Sequence, residues 1–157
     1  MITIKIVNKL FNTAEINELV YKAYPYESND IEPVYESKQI EKIVKLEKIS
    51  FLLQIQDTPK HYVLAELGGK LVGFIMINTL ALQHLCDLTW VCVHPDYRSQ
   101  KIGRQMIQKA VEFCKEKNKE VIISTNIPDY YKSLGFEISN EFKQGWYLMA
   151  TKGATWL

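Results

Sequence analysis

Trp90-Val91-Cys92-Val93-His94-Pro95-Asp96-Tyr97-Arg98-Ser99-Gln100-Lys101-Ile102-Gly103-Arg104 is the stretch that decides the fold. Its apolar run stops at a proline, which removes a backbone donor and ends a strand. A polar, basic loop follows and enters a helix marked by Ile102, Met106, Ala110 and Cys114, which continues to about Lys117. A helix start leaves about four backbone N–H groups without intrahelical partners, and the helix dipole adds partial positive charge there. The loop therefore suits an anion such as a diphosphate, and Gly103 lets the backbone come close.

Working outward, residues 87–93 form the buried strand that feeds this helix, and the short apolar run 121–125 is the strand that follows it. Upstream, residues 61–67 and 70–78 are β-rich runs flanking Gly68-Gly69, a two-residue turn that closes an antiparallel hairpin. At the start, Ile2, Ile4 and Ile6 alternate and predict a half-buried strand over 2–7. Asn12 and Glu15 have the capping-box offset ahead of a helix reaching about Ala23. Tyr24-Pro25-Tyr26 breaks that helix, and residues 36–54 favour a second one. Residues 129–134 make a short helix stopped by Gly135, and runs at 136–139 and 146–151 complete the sheet. The order predicts an α+β domain over residues 1–157: a central mixed, mostly antiparallel sheet of about seven strands with about four helices and one parallel crossover.

Composition narrows the function. The 157 residues are 47% hydrophobic, enough for one globular core without metal or disulfide staples. Nineteen Lys and Arg against eighteen Asp and Glu give +1, which provides no field for nucleic acid or an anionic membrane. The charges at 115–120 alternate in sign and read as the solvated end of a helix. Cys86, Cys92 and Cys114 form no CxxC pair and fit reduced thiols in the cytoplasm, and residues 1–7 are too short for a signal-peptide core or a membrane span. His61, His84 and His94 lack metal-ligand spacing, so no metal is expected. Neither GxxxxGK[ST] nor GxGxxG occurs, which argues against other nucleotide-binding domains.

Val93-His94-Pro95-Asp96-Tyr97-Arg98 followed by Ile102-Gly103-Arg104 resembles the coenzyme A signature of the GCN5-related N-acetyltransferase (GNAT) family. The family pattern is Arg or Gln, two residues, Gly, any residue, then Gly or Ala; here it falls on Arg98 to Gly103, with Lys101 in place of the first glycine. That replacement raises the cost of the loop by roughly 1 kcal/mol if the position needs positive φ. A second motif, Asn126-Ile127-Pro128-Asp129-Tyr130-Tyr131-Lys132-Ser133-Leu134-Gly135-Phe136, resembles the family's carboxyl-terminal signature of two aromatics, two polar residues, Leu, Gly and Phe.

The resemblance implies an acyl-CoA N-acyltransferase-like fold whose fourth and fifth strands are parallel and splayed, acetyl-CoA as co-substrate, an amine acceptor, and a monomer or homodimer. It implies that Arg98, Ser99, Gln100, Lys101, Ile102, Gly103 and Arg104 cradle the coenzyme pyrophosphate through backbone amides. Val91, Cys92 and Val93 lie along the pantetheine, with Asn126 and Tyr131 closing the cofactor site. A bulge in strand four polarises the thioester carbonyl near residues 91–93, and Tyr131, second of the aromatic pair, protonates the leaving thiolate. Asp87, six residues before Val93, resembles the position of a glutamate base.

Other readings stay open from the residues alone. Asp87 is either that base or an exposed strand-end carboxylate, and alternation places Asp87, Thr89, Val91 and Val93 on one face. Tyr131 is either the acid or a core aromatic with its hydroxyl at the surface. Cys92 invites a covalent acyl-enzyme but has no patterned histidine partner, and His94 is expected to cap the loop before Pro95. Trp90, Tyr24, Tyr26 and Tyr35 are candidates for the acceptor side. A non-catalytic acyl-CoA-binding module is the competing class.

Overall fold

The structure is a computed structural model that describes residues 1–10, 12–23, 60–79 and 84–151. The expected helix at 36–54 and the aromatic loop with Tyr24, Tyr26 and Tyr35 lie outside the described residues. Strand β1 (Ile2–Val7) is followed by α1 (Thr13–Ala23), whose start is capped by Asn12 Oδ1 accepting from the Glu15 amide at 3.1 Å. Then come β2 (Lys60–Leu67), β3 (Lys70–Thr79) and β4 (Leu85–Val93), a 3-10 turn at Pro95–Gln100, and α2 (Ile102–Glu116). The chain continues with β5 (Glu120–Thr125), the short helix α3 (Pro128–Lys132), β6 (Phe136–Lys143) and β7 (Trp146–Thr151).

The strands form one sheet in the order β1-β2-β3-β4-β5-β7-β6. β4 and β5 pair parallel and every other neighbouring pair is antiparallel. Gly68 and Gly69 both have positive φ, +58° and +79°, as the tight β2–β3 hairpin requires. The mixed sheet with one parallel crossover, read from element order, is the observed fold.

Helices cover the sheet on both faces. Ile102, Met106, Ile107, Ala110 and Cys114 of α2 are buried against Val63, Ile75, Ile77, Cys86, Leu88 and Val121. On the other face Ile16, Leu19, Val20 and Ala23 of α1 pack with Leu71, Phe74, Met76 and Cys92. The 3.6-residue spacing of each helix and the two-residue period of each strand put these side chains on facing surfaces.

Two irregularities in this scaffold position the site. The β4–β5 pairing covers Leu85–Leu88 against Glu120–Ile123 only. Beyond it β4 keeps to β3 through Cys92 opposite Phe74 and Val93 opposite Gly73, while β5 keeps to β7 through Thr125 opposite Tyr147. The sheet therefore opens as a V between residues 89–93 and 124–126. The second irregularity lies in β4 itself. Met76 faces Thr89 and Phe74 faces Cys92, so Ile75 alone opposes Trp90 and Val91. That two-against-one count is a β-bulge, and Trp90 carries its positive φ of 55°.

Candidate active site

The bulge decides which face each β4 side chain takes. Cross-strand partners share a face, so Thr89 and Asp87 stand with Met76 and Asn78 on the α1 side. Trp90 and Cys92 also pack on that side, whereas Val91 and Val93 pack on the α2 side. Unbroken alternation placed Asp87 and Thr89 with Val91 and Val93; the extra residue at Trp90 separates the two pairs. Nor is Asp87 an exposed strand-end carboxylate, since it is only 1% exposed.

At the open end of the V the chain turns into α2. His94 Nδ1 accepts from the Asp96 amide at 3.1 Å, and the His94 amide donates to the Val72 carbonyl at 2.8 Å. The imidazole thus caps the 3-10 turn, as expected from its place before Pro95. Lys101 adopts φ 58°, ψ 27° immediately before α2, the left-handed conformation that glycine tolerates best. The position thus does need positive φ, and a lysine supplies it.

A cavity of about 640 Å³ fills the V. One wall is Val91, Cys92 and Val93 of β4; the floor is Arg98, Ser99, Lys101, Gly103 and Arg104 at the start of α2; the far wall is Asn126, Ile127, Tyr130 and Tyr131. Ala23 closes the α1 end. Among the described residues, three cations and no carboxylate line it. Of the residues singled out as cofactor-binding, Gln100 and Ile102 are outside the lining: Gln100 is exposed on the 3-10 turn and Ile102 is buried in the core under α2. Asp87 also lies outside it.

Ala23, Ile127 and Tyr130 belong to the lining and were not singled out by the sequence reading. Tyr130 carries its own signal, because Gly103 must be small for it. A Cβ at Gly103 would sit 2.9 Å from Tyr130 Oη and 3.5 Å from Val93 Cγ2. The glycine that lets the backbone approach a ligand also admits the tip of a tyrosine from α3.

Tyr131 is 5% exposed and meets Tyr130 and Phe136 edge-on, with ring centroids 5.1 and 5.7 Å away. Its side chain is buried and lines the cavity. Burial first, then neighbouring Tyr130 and Cys92, push its pKa above the usual tyrosine range, so it holds its proton throughout neutral pH. Cys92 is buried, and desolvation pushes its thiol up to about 12 despite Arg98 nearby. Among the described residues no group of three His, Cys, Asp or Glu side chains is placed to hold a metal ion. Among the same residues no helix is long and apolar enough to cross a membrane.

With the V, the bulge and the helix start in place, comparison with known proteins is decisive. The family model for the acetyltransferase (GNAT) domain matches residues 58–138. The chain belongs to the GNAT family. This GNAT protein is 30% identical over 119 residues to a Bacillus subtilis protein named "putative ribosomal protein bS18-alanine N-acetyltransferase", a match covering 75% of this chain and 71% of that one. It is 28% identical over 102 residues to an uncharacterized N-acetyltransferase of Methanocaldococcus jannaschii, a match covering 58% of this chain and 45% of the longer archaeal protein. Among solved structures it resembles the PaiA N-acetyltransferase of Thermoplasma acidophilum in complex with coenzyme A, with a TM-score of 0.65 at 19% identity over 96% of this chain and 99% of that one. It also resembles the ribosomal-protein-S18-alanine N-acetyltransferase of Escherichia coli, with a TM-score of 0.68 at 16% identity over 96% and 93% of the two chains. These two solved structures share its fold.

Proposed function

We propose that this protein is an N-acetyltransferase that moves the acetyl group of acetyl-CoA to a primary amine by direct transfer in a ternary complex. The observation that carries the reading is the cavity bounded by the bulged end of β4, the amino terminus of α2 and the buried Tyr131. An anionic diphosphate fits its floor, where Arg98, Lys101 and Arg104 surround the first turn of α2. The pantetheine arm fits against Val91, Cys92 and Val93, on the side where β4 has parted from β5.

In this reading the amine nitrogen attacks the thioester carbonyl, whose oxygen takes up charge beside the β4 bulge. The C–S bond then breaks and Tyr131 donates its proton to the leaving sulfur. Its raised pKa supports that role, since the phenol stays protonated through the neutral range. Asp87 takes the amine's proton, directly or through water, from the α1 side of the sheet. Cys92 does not carry the acyl group in this reading, because burial holds its thiol well above the usual cysteine range and keeps it protonated.

The test combines calorimetry with acetyl-CoA and free-thiol release over a panel of amines that includes an alanine-initiated peptide, the substrate type in the name of the Bacillus subtilis relative. Binding with thiol release from at least one amine, and no acetyl adduct on the protein by intact mass, is expected. An adduct on Cys92 would replace direct transfer by a covalent route.

A further inference from the structure

The α1 face of the sheet is apolar where it meets Ile16, Leu19 and Val20, and beyond the bulge it carries the polar side chains of Thr89, Asn78 and Asp87 beside the apolar Leu85 and Ile122. Thr89 follows Met76 across the ladder, and Asn78 stands opposite Asp87. Asn78 and Asp87 are each 1% exposed. The Asn78 side chain donates through Nδ2 to Thr89 Oγ1 at 3.2 Å, but its Oδ1 is buried and accepts no hydrogen bond from the described residues. A buried amide oxygen without a donor costs on the order of 1–3 kcal/mol. Few such groups persist in folded proteins, and each one calls for a reason.

The position supplies that reason. The cavity reaches β4 at Val91 and Cys92, and the polar row starts at Thr89 on the other side of the bulge. What the Asn78 oxygen lacks is an N–H donor, and what an acetyl acceptor brings to the bulge is an ammonium with three of them. Two oxygen acceptors face each other across one rung of the β3–β4 ladder, the Asn78 amide and the Asp87 carboxylate. That pair suits a primary ammonium held between strands.

We infer that Asn78 is an acceptor-binding residue, its Oδ1 receiving an N–H of the acceptor's primary ammonium opposite Asp87. The inference rests on the acetyltransferase reading above and extends it from the donor side to the amine. Asn78 then selects for the ammonium group itself, leaving the remainder of the acceptor to other contacts. The cost of the unsatisfied oxygen is repaid on binding rather than on folding.

The experiment uses the full chain and n-propylammonium chloride as probe, with tetramethylammonium chloride, which has no N–H, as control at equal ionic strength. Thermal unfolding is followed for wild type, Asn78→Leu and Asn78→Asp, alongside calorimetry with acetyl-CoA. In the wild type the melting temperature should rise by about 2 °C more with propylammonium than with tetramethylammonium at concentrations well above the dissociation constant. That difference should vanish in Asn78→Leu and persist in Asn78→Asp, which keeps an oxygen at the same place. Without any probe Asn78→Leu should melt no lower than wild type, because the orphan oxygen is gone. An equal response in wild type and Asn78→Leu, or no preference for propylammonium in the wild type, overturns the inference. So does a loss of several degrees in Asn78→Leu with the preference intact, which would make the asparagine structural. If acetyl-CoA itself fails to bind the wild type, the acetyltransferase reading falls and takes this inference with it. If it binds while the propylammonium preference is absent, only Asn78 is misassigned.

Discussion

Arg98 and Ala23, 75 residues apart, are joined by a 2.7 Å hydrogen bond from Nη2 to the last carbonyl of α1, while Nε of the same guanidinium donates to the Val93 carbonyl at 3.2 Å. One side chain thus ties α1 to the end of β4 at the edge of the cavity. Its positive charge also sits at the negative end of a helix dipole. Replacing it with methionine should cost about 1–2 kcal/mol in urea unfolding. Lysine should recover less than half of that, because a single ammonium cannot reproduce the two directed donors. A lysine variant as stable as wild type would show that charge alone matters there.

Tyr131→Phe isolates the proposed acid. Turnover should fall about 100-fold or more, in the range of a lost general acid. The acetyl-CoA dissociation constant should change less than about 3-fold, since the ring and its edge-on contacts remain. Stability supplies a second reading. The folded pKa of Tyr131 lies above its unfolded value, so its contribution is complete below about pH 10 and is lost as pH rises through the folded pKa. Alkaline unfolding of the phenylalanine variant should be correspondingly less steep.

Lys101→Gly separates backbone strain from charge. The left-handed conformation at Lys101 costs roughly 1–2 kcal/mol for a residue with a side chain, and glycine's extra unfolded freedom returns part of that. A net gain of about 0.5 kcal/mol in chemical unfolding is expected. Removing one of three cations from the cavity floor should at the same time weaken acetyl-CoA binding several-fold at low salt, and less at high salt.

Gly103 and Tyr130 should behave as a pair. Gly103→Ala gains up to about 1 kcal/mol of helix propensity in the first turn of α2, but its Cβ occupies the space of Tyr130 Oη. Acetyl-CoA affinity should drop about 10-fold as the ring is pushed into the cavity. Tyr130→Phe in the same chain should restore most of it, a coupling that calorimetry on all four proteins would resolve.

Much of this site is legible in the sequence. Period-two alternation marked Ile2, Ile4 and Ile6, and the paired glycines 68 and 69 marked the hairpin, because both patterns act over a few residues. The loop from Arg98 to Arg104 was readable for the same reason: a proline stop and a helix start are local events. What escaped the sequence was either irregular or distant. The family resemblance implies a bulge in strand four near residues 91–93, but nothing about a tryptophan announces the positive φ that centres it on Trp90, so period-two spacing misplaces Asp87 and Thr89 on the face of Val91 and Val93. Ala23 entered the cavity through a hydrogen bond spanning 75 residues, and spacing carries no information about such a contact. Tyr130 is adjacent to Tyr131 on a five-residue helix, so about 100° of helical rotation separates the two rings and turns Tyr130 outward while Tyr131 is buried.

The seam between β4 and β5 has a mechanical consequence. Four residue pairs, Leu85 to Leu88 against Glu120 to Ile123, are the whole spine along which the two leaves of the sheet are bound. A book with so short a spine opens at an angle set by what is wedged behind it. Here that wedge is the layer of Cys86, Leu88, Val121 and Ile123 over α2. Thickening or thinning that layer by a methyl group should tilt the leaves and change how deep a guest slides between them, giving residues that never meet the ligand control over the gap it enters.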